Sequence, residues 1–148
     1  MRTTTILSTT LVLGALAAAP ADATTTTLSC AGRPVTVRLG AGEHPTDGDD
    51  VVWGTPGDDL IRAGAGTDVV CGRGGADRIF GGRGADRILG QAGDDSINGR
   101  AGNDRIFGGL GGDFTAGNGG IDHCDVGPDD PGDEGDPTCE TGSGSPAE

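Results

Sequence analysis

Gly81-Gly82-Arg83-Gly84-Ala85-Asp86-Arg87-Ile88-Leu89 is one copy of a nine-residue unit that runs without a gap from Pro45 to Asp125. The fourth place is Gly in every copy: Gly48, Gly57, Gly66, Gly75, Gly84, Gly93, Gly102, Gly111 and Gly120. The sixth is Asp in every copy: Asp50, Asp59, Asp68, Asp77, Asp86, Asp95, Asp104, Asp113 and Asp122. The eighth is Val52, Ile61, Val70, Ile79, Ile88, Ile97 and Ile106, then weakens to Thr115 and Cys124. The first is Gly except at Pro45 and Ala63. Composition alone would allow a disordered acidic polymer, but disorder has no need of Gly and Asp in register.

The chemistry of the unit divides it into a six-residue turn and a three-residue strand. Glycine serves where a turn takes positive φ or where backbone approaches an ion closely. In the short strand the eighth place points inward, while the seventh and ninth point outward. This places Ile and Val in a thin core and sets Arg78, Arg87 and Arg105 on solvated faces or beside neighbouring acids. Three residues of strand cannot stand alone, so copies must stack at about 4.8 Å.

The spelling resembles the nonapeptide G-G-x-G-x-D-x-U-x of the RTX (repeats-in-toxin) family of hemolysin-type calcium-binding repeats. The resemblance covers residues 45–125. It implies an all-β fold, a right-handed parallel β-roll with two units per coil, so that unit n lies beneath unit n+2. It also implies one calcium ion between each pair of stacked turns. The aspartate pairs would be Asp50 with Asp68, Asp59 with Asp77, Asp68 with Asp86, Asp77 with Asp95, Asp86 with Asp104, Asp95 with Asp113, and Asp104 with Asp122. That makes up to about seven Ca2+ ions, with the nine fourth-place glycines shaping the turns around them.

Calcium suits this pattern because it takes six to eight oxygens in irregular geometry, and Gly-rich turns add carbonyls to the carboxylates. Magnesium fits poorly, since it demands tight octahedral geometry. Asp used only for turn formation would exchange with Asn or Ser, and in nine copies it never does. The fifth place varies (Asp49, Asp58, Thr67, Ala76, Ala85, Asp94, Asn103, Gly112, Ile121) and reads as a spectator. About seven divalent ions would bring roughly +14 against a formal net charge of −13.

Outside the repeats, residues 1–23 read as a secretory signal. Arg2 precedes the apolar run Ile6–Ala19, and Ala21-Asp22-Ala23 offers small residues for cleavage before Thr24. The run is shorter than the roughly 20 residues a membrane span needs, and no other segment comes nearer. Residues 24–44 form an N-terminal segment in which Val35-Thr36-Val37-Arg38-Leu39 alternates as a strand and caps the open end of the stack. Residues 126–148 are an acidic, Pro- and Gly-rich tail that carries no base. It is expected to fold back as far as Cys139 and to be disordered from Thr141 to Glu148.

With 31 glycines, no tyrosine, and only Trp53, Phe80, Phe107 and Phe114 as aromatics, the chain lacks the bulk for an ordinary core and needs help to fold. Its 23 acids face 10 arginines and no lysine, a balance that repels nucleic acid and anionic lipid and attracts cations. Four cysteines allow three connectivities. The favoured one joins Cys30 to Cys71, tying the N-terminal segment to the third unit, and Cys124 to Cys139, tying the tail to the last. Zinc is disfavoured because there is no C-x-x-C pair.

His44 and His123 stand in no arrangement with a nucleophile, and H-E-x-x-H and G-x-S-x-G are absent, so catalysis is not expected. The sequence therefore reads as a secreted, extracellular calcium-ion-binding protein that folds on binding calcium. The alternative is a cell-surface or matrix adhesion or scaffold protein that uses the calcium roll as a structural module, its Arg-bearing faces or acidic tail meeting a partner. An ice-binding solenoid would need an outward threonine ladder, which is missing.

Overall fold

The nine-residue period becomes an eighteen-residue coil. In the computed structural model the described residues are 28–128, the backbone of Glu134–Gly135, and Cys139. The expected signal over residues 1–23, the polar run Thr24 to Thr27 and the end of the tail from Thr141 lie outside them. Among the described residues no helix is long and apolar enough to cross a membrane.

A short antiparallel hairpin, β1 (Ser29–Cys30) with β2 (Arg33–Pro34), comes first among the described residues and is followed by β3 (Val37–Arg38). The repeats then contribute β4 (Val51–Trp53), β5 (Leu60–Ala65), β6 (Val69–Gly74), β7 (Arg78–Arg83), β8 (Arg87–Ala92), β9 (Ser96–Ala101), β10 (Arg105–Leu110), β11 (Phe114–Gly119) and β12 (His123–Asp125). In the tail, β13 (Glu134–Gly135) completes the set. Strands alternate between two sheets, one ordered β12-β10-β8-β6-β4-β3 and the other β13-β11-β9-β7-β5, and every pairing within them is parallel. The architecture is a parallel β-solenoid of the β-roll kind, in which unit n stacks on unit n+2.

Register follows the eighth place. Val37, Val52, Val70, Ile88, Ile106 and Cys124 form one ladder, and Ile61, Ile79, Ile97 and Thr115 the other. These side chains interleave as a single thin core, and every Ile and Val of the eighth place is at most 1% exposed. Each coil buries little apolar area, so the neighbouring coils supply most of what orders it.

Three sequence expectations change. The strands β5 to β11 are six residues long rather than three, running from the seventh place of one unit to the third of the next with the turn shrunk to places four to six, while β4 and β12 at the two ends keep three. The reason is a bend at the second place, which takes positive φ whether it is Gly82 (129°), Arg73 (92°), Gln91 (87°), Arg100 (80°) or Asn118 (71°). Pairing resumes beyond that bend, as in Arg73 with Gln91 and Gly74 with Ala92.

The N-terminal cap is also different. Only Val37–Arg38 of the expected Val35–Leu39 strand joins the sheet, and Leu39–Ala41 turns away as a 3-10 helix. The rest of the segment lies over a face of the roll. Val51, Val69 and Cys71, at places expected to point to solvent, are buried with Cys30 against Val35, Trp53 and Leu89. Cys30 is bonded to Cys71 with Cα atoms 5.9 Å apart, and Cys124 to Cys139 at 5.5 Å, within the usual span for disulfides. At the far end β13 adds to β11, and Cys139 bridges to Asp122.

Candidate metal centre

The sixth-place aspartates stand in two columns inside the turns, one column on each edge of the roll. All are buried except Asp59, which is half-buried. Each predicted pair is brought one coil apart and joined by the same bond, in which the backbone N–H of the earlier aspartate donates to Oδ1 of the later one. The distance is 2.8 Å for Asp50 to Asp68, Asp59 to Asp77, Asp77 to Asp95 and Asp104 to Asp122. It is 2.9 Å for Asp68 to Asp86, Asp86 to Asp104 and Asp95 to Asp113.

That bond occupies one carboxylate oxygen. Oδ2 of Asp68, Asp77, Asp86, Asp95, Asp104 and Asp122 is buried and has no hydrogen-bond partner among the described residues. An unpaired buried oxygen of this kind carries the full cost of desolvation. The surroundings sharpen the problem. A Cβ added at Gly81 would lie 2.5 Å from Asp86 Oδ2 and 2.9 Å from the Gly99 carbonyl oxygen. At Gly90 it would meet Asp95 Oδ2 and lie 2.7 Å from the Gly108 carbonyl. First-place glycine therefore leaves a small space onto which two acceptor oxygens converge, from the carboxylate of its own unit and the carbonyl of the coil above.

Fourth-place glycine answers a different demand. Gly84 has φ of 120°, a conformation that side chains rarely adopt, and a Cβ there would collide with the Gly66 carbonyl one coil below. The glycine columns thus let the turns stack in contact. Gly48 and Gly57, in the first coil, have no coil of repeats beneath them.

Burial pushes the carboxyls up. Asp86 and Asp95 are both raised to about 7, first by desolvation, with the backbone N–H bond opposing and the aspartates one coil away adding. Asp68, Asp77 and Asp104 are raised for the same leading reason. A column of buried acids near neutrality calls for protons or for a cation. Among the described residues no three His, Cys, Asp or Glu side chains gather to hold a metal. A cation here would have to take backbone carbonyls besides Asp oxygens, which is the donor set expected of Gly-rich turns and hard divalent ions.

The fifth place, read as a spectator, is a correction. Oδ1 of Asp49 accepts from Thr67 N–H at 2.7 Å, Asp58 from Ala76 at 2.8 Å, Asp94 from Gly112 at 2.9 Å and Asn103 from Ile121 at 3.0 Å. Wherever Asp or Asn stands there, it ties its coil to the next. The signal was present as two blocks of Asp or Asn at that place, in units one and two and in units six and seven. Thr46 and Thr55 were missed as well. Thr46 donates to Asp50 Oδ2 from its amide at 2.6 Å and its hydroxyl at 3.0 Å, and Thr55 donates its amide to Asp59 Oδ2 at 2.6 Å.

Residues 44–79 and 80–115 match the family model described as the RTX calcium-binding nonapeptide repeat (4 copies). No curated protein and no solved structure matches the chain.

Proposed function

Over residues 44–115 the chain is built of RTX calcium-binding nonapeptide repeats, and from that premise we propose that it is a secreted protein whose roll closes around calcium. The observation that carries this reading is the set of buried carboxylate oxygens without hydrogen-bond partners among the described residues, Oδ2 of Asp68, Asp77, Asp86, Asp95, Asp104 and Asp122. Calcium supplies there the positive charge and the oxygen-seeking coordination that let the acids stay ionised inside the roll. The chain's own residues do the rest. Oδ1 of each later aspartate holds the turn beneath it, first-place glycine keeps space beside Oδ2, and fourth-place glycine lets successive turns touch. Up to about seven ions, one for each stacked pair, is the stoichiometry we assign.

Export is supported by the signal-like residues 1–23 and by two disulfides, which persist in oxidising compartments. The test is circular dichroism of the disulfide-bonded chain from Thr24, titrated with calcium. A cooperative gain of parallel-strand signal is expected at about 10⁻⁴–10⁻³ M, the range of extracellular calcium modules. Full strand signal in chelator at pH 8 would overturn the coupling of folding to calcium.

A second reading, the calcium roll as scaffold of an adhesion or matrix protein, is favoured by one feature. The outward faces carry arginines and aromatic rings in clusters that serve no part of the metal columns.

A further inference from the structure

The acids lie along the edges of the roll, and the bases lie on its faces. Phe80, at the centre of the β5-β7-β9 sheet, has the Arg62 guanidinium 5.5 Å from its ring centroid and the Arg100 guanidinium at 4.8 Å. Arg62 comes from the coil before and Arg100 from the coil after. The other sheet repeats the arrangement at Trp53. Arg38 pairs in register with Trp53 from the coil before, and Arg73 of the coil after lies 5.1 Å from the ring. On the opposite face Arg38, Trp53 and Arg73 thus line one cavity across three adjacent strands, with the Arg73 guanidinium over the ring.

A guanidinium stacked on a ring spends its π face there and keeps the N–H donors of its edge for an oxyanion. Neither Arg62 nor Arg100 donates to a carboxylate among the described residues. Between them lies a cavity of about 170 Å³, walled by the two arginines and Phe80 and floored by Gly64, Gly81 and Gly82.

We infer that the Arg62–Phe80–Arg100 cavity binds the acidic groups of an anionic polysaccharide, with the Arg38–Trp53–Arg73 cluster as its counterpart on the other face. The ring and glycine floor offer an apolar surface to a sugar ring, and the paired guanidiniums offer forks for its carboxylate or sulfate. An acidic peptide is the poorer fit, because peptides gain affinity on sheets through an unpaired strand edge, and β7 and β9, which carry Phe80 and Arg100, are each paired on both sides, with β5 alone of the three at the end of the sheet. The net charge of −13 repels any polyanion until cations neutralise the edges, so binding is coupled to calcium. The coupling is mutual, because Arg62, Phe80 and Arg100 meet only when three coils stack, so the ligand must stabilise the roll.

That last step rests on the calcium reading above, and one experiment separates the two. Calcium-saturated protein, its strand signal verified by circular dichroism, is titrated with size-fractionated dextran sulfate, with neutral dextran and with polyglutamate. The probe is sulfated because polymeric carboxylates sequester calcium, and the polyglutamate arm is run with free calcium held constant. Dextran sulfate should bind and lower the calcium midpoint, and neutral dextran should do neither. Arg62→Gln with Arg100→Gln should weaken binding about tenfold or more, whereas Arg105→Gln, an exposed arginine on β10 of the other sheet, should change it less than about twofold. A roll that forms in calcium and does not bind dextran sulfate, or that loses equal affinity in all the variants, overturns the site and leaves the calcium reading standing. Equal binding of polyglutamate overturns the choice of a polysaccharide. A roll that forms without calcium and still binds keeps the site and overturns the calcium reading.

Discussion

Units one and two, over residues 45–62, spell the same nonapeptide as the seven that follow, yet their aspartates live differently. Asp50 Oδ2 receives the Thr46 amide and hydroxyl, and Asp59 Oδ2 receives the Thr55 amide while Thr55 Oγ1 donates to Oδ1 at 3.1 Å. From the third unit onward the second place holds no threonine and the backbone there turns to positive φ, and the buried Oδ2 atoms of Asp68, Asp77, Asp86, Asp95, Asp104 and Asp122 have no donor among the described residues. The first coil is also covered by the N-terminal hairpin and anchored through Cys30 to Cys71. The comparison teaches that one sequence signature supports two economies. The first coil supplies its carboxylates with its own donors, and the body of the roll keeps buried Oδ2 atoms for the cation proposed above.

The largest expected effect is spatial. As free calcium is lowered on the disulfide-bonded protein, amides of the body should lose hydrogen-exchange protection well before those of Val51 to Trp53 in the first coil, because solenoid coils are coupled to their neighbours but differ in intrinsic stability. Simultaneous loss along the whole chain would break the distinction between first coil and body.

Protons should substitute for calcium in the body. Asp86 and Asp95 titrate near 7 in the roll, against 3.8 for an ordinary Asp. The folded state thus binds more protons than the unfolded chain between these values. The stability these groups contribute to the metal-free roll is fully present below about 3.8 and is lost as pH rises through about 7. In chelator, strand signal should be stronger at pH 5 than at pH 8, and the calcium midpoint should fall as pH rises over the same window. A metal-free strand signal that grows with pH would contradict the burial assigned to these acids.

A paired substitution sharpens the contrast further. Asp86 takes part in two stacked pairs, with Asp68 and with Asp104. Asp86→Asn keeps an oxygen for the Asp68 amide but removes a desolvated charge, so it should raise the calcium midpoint about tenfold and at the same time stabilise the metal-free roll. Asp50→Asn, whose free oxygen is already held by Thr46, should move the midpoint less than about twofold. Calcium titrations of the two variants, followed by circular dichroism, decide it. Equal shifts would mean that the first coil binds as the body does.

Much of this could be read from the residues. The strict sixth and eighth places gave the nine-residue period and the core, and the RTX resemblance supplied the pairing of unit n with unit n+2 and so the aspartate pairs, because a nine-residue period alone would align a unit equally well with its immediate neighbour. The disulfides followed from where the cysteines fell against the units. The bend at the second place could not be read, since Gly, Arg, Gln and Asn all adopt it and the stack imposes it. Nor could the burial of Val51 and Val69, which depends on where the hairpin lies rather than on any pattern within a unit. Thr46 and Thr55 looked like ordinary variation, because their meaning lies in the donors missing from the later units.

The smallest effect tests whether a feature of the first coil can be transplanted. Both of its units carry Asp at the fifth place, and Asp49 and Asp58 each accept an amide from the coil above, at 2.7 and 2.8 Å. Units three to five carry Thr67, Ala76 and Ala85 there and make no such bond among the described residues. Ala85 is exposed, so a longer side chain meets solvent rather than core. By the same eighteen-residue spacing, Ala85→Asp would place its Oδ1 toward the Asn103 amide, the position that Asp94 occupies toward Gly112. One such bond at an exposed site should stabilise the roll by about 0.5–1.5 kcal/mol. The gain should appear in urea denaturation at saturating calcium, with the calcium midpoint nearly unchanged, because the added carboxylate lies outside the buried sixth-place column. Destabilisation by this substitution, or a calcium midpoint that falls as far as Asp86→Asn raises it, would show that the fifth place belongs to the ion site and not to the framework that joins the coils.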